Sequence, residues 1–152
     1  MAYSTSEARQ QLLDTLAEAT DELGFALAYL AEAYDNLDAH NADRLEVELF
    51  RPVQVAYGRA QLSHGEFAER HDLQRRTFEQ QPAGVSATGA PGFIHRAVEA
   101  ISEADRGLTA LQDSMLPVEV GDAALRSGLA EVRDRIRGRP ERARELLRTL
   151  GR

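Results

Sequence analysis

One pattern in the first forty residues excludes most architectures. Leu12, Leu16, Ala19, Leu23, Ala26, Leu30, Ala33 and Leu37 recur at alternating steps of four and three, the spacing that lines one face of an α-helix. Leu13, Leu27 and Tyr34 flank that line, so the apolar face is wide enough to require burial. Alternating Leu and Ala lets neighbouring helices approach closely, as an antiparallel bundle needs. Ser4-Thr5-Ser6-Glu7 forms a capping box at the start. β-structure has little support, because 19 Leu stand against 11 Val plus Ile and no segment alternates cleanly with period two. The fold class expected is all-α.

The seam slips by one residue at Asp38-Ala39-His40-Asn41-Ala42-Asp43, which predicts a tight turn with Asn41 as the next N-cap. Helices are therefore expected at about 5–39 and 42–71. The second runs through Leu45, Leu49, Val53, Ala56, Ala60 and Phe67, kinked where Pro52 removes a hydrogen bond. A single helix over 5–71 is the alternative, disfavoured because the slip and the polar cluster coincide. The stretch 72–91 has no period and contains Pro82, Gly84, Gly89 and Pro91, an unusually long connection. A third helix, 92–116, follows Ile94, Ala97, Val98, Ile101, Ala104, Leu108, Leu111 and Met115 and stops at Pro117. A fourth, 122–137, starts from Asp122 as N-cap and uses Leu125, Leu129, Val132 and Ile136. After Gly138-Arg139-Pro140 a short helix, 140–150, carries Ala143, Leu146, Leu147 and Leu150.

These elements predict one domain over 1–152, a four-helix bundle made of two helical hairpins joined by the long loop, plus a short C-terminal helix. The loop could span about 65 Å extended, against about 36 Å for the third helix. Both up-down-up-down order and a crossover, as in ferritin-like folds, are compatible with that reach.

The residue inventory removes several chemistries. All 18 basic residues are Arg, and there is no Lys and no Cys, which excludes Schiff bases, a P-loop lysine and thiol nucleophiles. No Gly-x-Ser-x-Gly elbow occurs. A ferritin-like metal pair needs two Glu-x-x-His motifs, and the chain has neither. His64 and His71 lie two helical turns apart, a rise of about 10 Å that is too long for one ion. In up-down-up-down order His71 and His95 would meet near Glu7 or Asp14, so these four are the candidate metal ligands. No cofactor is expected, and the balance leans away from an enzyme.

Charge is unevenly spread. Residues 1–50 hold 11 acids against 2 Arg, whereas 133–152 hold 8 Arg against 3 acids, in a chain of net charge −7. Clustered cations are what phosphate neutralisation needs, which makes Arg133, Arg135, Arg137, Arg139 and Arg142 the candidate interaction residues. No aromatic side chain in that cluster can stack on a base. Complementing the acidic first helix is therefore preferred to contact with nucleic acid.

Phe25 lies off both apolar lines of the first helix. It predicts self-association, as a dimer or higher oligomer, through the first or second helix; another protein is the second partner class. The longest apolar run, 24–31, has eight residues, while a bilayer needs about 20, so no membrane partner is expected. Residues 1–9 lack the apolar core of a secretory signal, and the cytoplasm is the expected compartment. The function expected is a non-catalytic interaction or scaffold module. A degenerate ferritin-like metal-carboxylate bundle and an Arg-mediated nucleic-acid binder are the alternatives.

Overall fold

The computed structural model describes residues 4–151, and every regular element among them is helical. The elements are α1 (Thr5–Asp35), α2 (Ala39–Leu45), a π-helical turn (Glu46–Phe50), α3 (Arg51–Arg70), α4 (Ala90–Asp113), α5 (Leu116–Glu119), α6 (Ala123–Ile136) and α7 (Arg139–Leu150). Ser4 caps α1 by accepting from the Glu7 N–H, as the capping box predicts. The seam of α1 is buried from Leu12 to Ala33.

Helix boundaries depart from expectation where a side chain competes for the backbone. α1 ends at Asp35, not residue 39, and the next N-cap is Asp38 rather than Asn41. The backbone of Asp38 is extended and its carboxylate accepts from the Asn41 N–H at 3.4 Å and from Asn41 Nδ2 at 2.7 Å. The Asp38 carboxylate, which can only accept, thus turns Asn41 into its donor. α4 ends at Asp113 and Met115 adopts φ +69°, so the chain turns before Pro117, and Met115 is exposed instead of extending the seam.

Pro52 does not simply kink its helix. Leu45, Leu49 and Val53 are all buried, yet two successive steps of four would rotate an α-helical seam by about 80°. The wider π turn directly before Pro52 absorbs that rotation. Pro52 also has no N–H to return to the Glu48 carbonyl. Arg139 Nη1 of α7 donates to that oxygen at 2.6 Å. Ala143 and Leu146 of α7 are buried as well. Truncation after Arg137 should therefore lower the melting temperature by about 5 °C or more; an unchanged thermal transition would show that α7 does not hold the bundle.

Contacts along the helices give their directions. The Tyr57 ring lies against Gly24 while Tyr34 and Phe50 line one cleft, and Arg9 Nε donates to Val120 O at 2.9 Å while Ala19 faces Gly107, so α1 runs antiparallel to both α3 and α4. Arg59 reaches Glu131 at 2.9 Å while Arg70 reaches Asp122 at 2.8 Å, so α3 is antiparallel to α6. α3 and α4 are consequently parallel, and 71–89 crosses the length of the bundle. This is the crossover order rather than up-down-up-down. Around the bundle α1 lies between α3 and α4, with α6 opposite. The core is one cluster of Leu, Ala, Val and Ile from all four, anchored by the fully buried Phe67.

Candidate functional site

The crossover separates the candidate metal ligands. His71 caps the end of α3, whereas His95 is exposed near the start of α4, at the opposite end of the bundle. Glu7 is exposed in the first turn of α1, and Asp14 accepts a hydrogen bond from Gln10 Nε2 at 2.9 Å. Among the described residues no group of three His, Asp or Glu side chains converges as a cation site. The carboxylates that approach between α1 and α4, Glu22 and Glu103, sit in a surface cleft beside Arg96 and Arg106, outside the bundle interior. Burial raises the Glu22 pKa, with Glu103 and Asp21 adding to it.

His71 instead joins a clamp centred on Asp122. Arg70 donates to both Asp122 oxygens at 2.8 and 2.9 Å, and His71 Nε2 lies 2.9 Å from Oδ2. The same carboxylate caps α6 through the Leu125 N–H at 2.8 Å. Burial alone would raise its pKa, but the hydrogen bonds from Arg70, Leu125 and His71 outweigh this and hold it well below the usual carboxylate range. Arg70 and His71 thereby fix the end of α3 to the carboxylate that caps α6, a task of positioning helices.

The basic end is also occupied internally. Arg133 donates to Asp105 and to Gln112, and Arg139 to Glu48 O and Arg137 O. Arg137 pairs with Asp134 and Arg142 with Glu145, while Arg135 is exposed. α7 packs on α4, the π turn and α2. The acidic partner expected in the first helix is thus not the one used, because the crossover sets α1 and α6 on opposite sides of the bundle.

Phe25 is half-buried and packs on the core. It lines a cavity of about 750 Å³ between α1 and the crossover segment, together with Asp21, Arg76 and Pro82. The side chain left over from the two apolar lines is thus half-buried and faces the crossover across this cavity. The crossover is fastened there by Arg76, which donates to both Asp21 oxygens at 3.0 and 2.9 Å and lies 4.7 Å over the Phe78 ring. Phe78 in turn meets the buried His64 edge-on at 5.2 Å. Burial depresses the His64 pKa, the Arg76 and Arg75 charges add to this, and Asp14 opposes it.

What these contacts leave uncovered is the outer face of α3. Arg51, Val55, Gly58, Leu62 and Glu66 are all exposed and fall within about 80° of helical arc. Val55 and Leu62 are 49% and 48% exposed, and Val47 continues the line at 56%. The opposite face of the same helix is buried through Val53, Ala56, Ala60 and Phe67. This second apolar line is carried in the sequence by one seven-residue step, from Val55 to Leu62, out of phase with the core seam. Only the packing distinguishes the line facing the core from the line facing water. No helix among the described residues is long and apolar enough to cross a membrane. Comparison with known protein families, curated proteins and solved structures yields no match for this chain.

Proposed function

We propose that this chain is a non-catalytic helical interaction module that docks through the outer face of α3. The observation that carries this reading is the line Val47, Val55 and Leu62, each about half exposed on a helix whose other side is fully packed. Apolar side chains aligned on one helical face, with charged residues closing it, match the anchors by which one helix receives another. The clamp on Asp122, with Arg133 and Arg139 of the Arg-rich end, supports the same reading, since these polar groups are engaged in joining helices.

The test is a photo-reactive phenylalanine analogue placed singly at Val55, at Leu62 and at Ala110 of α4, which is exposed away from this face. Irradiation of cells producing the full chain should yield covalent protein adducts, this chain included, from positions 55 and 62. Position 110 should yield none. Equal labelling from all three positions, or none from 55 and 62, would overturn the proposal.

A further inference from the structure

We infer that the occupant of the α3 face is a second copy of this chain, packed antiparallel across a two-fold axis beside Gly58. The inference rests on the reading of α3 as a docking face. It is carried by how charge and size are distributed along the stripe.

The stripe is basic at its N-terminal end, at Arg51, and acidic at its C-terminal end, at Glu66, with Val55 and Leu62 between them. Two such helices side by side in the same direction would set Arg51 against Arg51 and Glu66 against Glu66. In the opposite direction each Arg51 faces the Glu66 of the other copy, and each Val55 faces a Leu62. Both pairings share one midpoint, between Gly58 and Arg59, as an isologous two-fold contact requires. A single register therefore satisfies Arg51, Val55, Leu62 and Glu66 together.

The midpoint is built for close approach. A Cβ added at Gly58 would meet nothing within 4 Å, so glycine there is not demanded by the fold of one copy. Its absent side chain allows two helix backbones to come near at their crossing. Arg59, the cation beside that point, is turned away to Glu131 at 2.9 Å. Arg51 makes its present pair with Glu46 on its own helix while 63% exposed, so its guanidinium can exchange that partner for another carboxylate. Glu69 falls on the same arc and is paired with Arg75, and physiological salt screens the repulsion between two chains of charge −7 beyond about 8 Å. One helix pair is a small interface, so the dimer is expected to dissociate in the micromolar range.

The test is light scattering coupled to size exclusion on the full chain at about 100 µM. Wild type should give twice 16.8 kDa, and Leu62→Arg should give a single chain with unchanged helical circular dichroism. Arg51→Glu and Glu66→Arg should each be monomeric alone, because each places like charges across the axis twice. Mixed in equal amounts they should recover a dimer, since both pairings then become attractive. Gly58→Cys, in a chain with no other cysteine, should oxidise to a covalent dimer much faster than Ala110→Cys. A wild-type monomer at this concentration overturns the inference, as does a dimer unaffected by Leu62→Arg or a mixture that stays monomeric. If the monomer is found while positions 55 and 62 still capture another protein, the second copy is rejected and the docking face stands. If nothing is captured either, both are rejected.

Discussion

Gly128→Leu should lower the melting temperature by about 6–12 °C, corresponding to about 3 kcal/mol of overpacking in a chain of this size. Gly128 is buried in α6 where it crosses α3, and a Cβ built there would lie 2.1 Å from Ser63 Oγ and 3.1 Å from Ser63 Cβ. The two backbones are held that close by the absence of a side chain. Gly128→Ala makes the same point more sharply. Alanine favours the helix by about 1 kcal/mol over glycine, so a net loss of stability would show that the crossing dominates. Ser63→Gly should recover part of that loss, with a coupling of about 1 kcal/mol in a double-mutant cycle read by urea denaturation. Additive effects, or a stabilised Gly128→Ala protein, would show that α3 and α6 do not meet at this pair.

Asp122→Ala should cost about 1–3 kcal/mol, because it removes the α6 cap together with a two-oxygen partner of Arg70. The ion pair contributes at the low end of that range, since both side chains are partly exposed and solvent screens them. Asp122→Asn keeps an oxygen for the cap and should cost less. The two variants differ again in acid. The folded state depresses the Asp122 pKa, so its contribution is fully present above the ordinary carboxylate range and is lost as pH falls through and below about 4. His64 acts in a higher window. Its folded pKa is also depressed, so the unfolded chain binds its proton first, and stability falls as pH drops below about 6.5. Urea midpoints of wild type, Asp122→Asn and His64→Phe across pH 3–8 should separate the two contributions. A wild-type profile retained in Asp122→Asn would refute the clamp, and one retained in His64→Phe would refute the role of the histidine.

The fold was legible wherever one helix decides its own burial. The α1 seam, the Ser4 and Asp122 caps and the break at Gly138 depend on residues within a turn or two of each other, and each appears where expected. The sequence does not separate Asp38 from Asn41 as the cap because both are good acceptors, and only the backbone conformation shows which one precedes the helix. The π turn was hidden for a related reason. The steps from Leu45 to Val53 admit a kink or a widened turn, and the donor from Arg139 that completes it comes from the far end of the chain.

The candidate residues divide along the same line. Their chemical types are given by the sequence, but whether His71 meets His95 or Asp122 depends on the direction of α4. A segment long enough to fold back at one end is also long enough to cross the bundle, so chain length leaves that direction open. Phe25 and Leu62 look equally surplus as letters; packing sets the first half-buried beside the crossover and leaves the second about half exposed. The sequence by itself determines the all-α class, the number of main helices and most of their buried faces, because apolar periodicity is a property of each helix alone. The tertiary structure alone decides the crossover, the clamp on Asp122 and the uncovered face of α3, because each depends on which elements lie side by side.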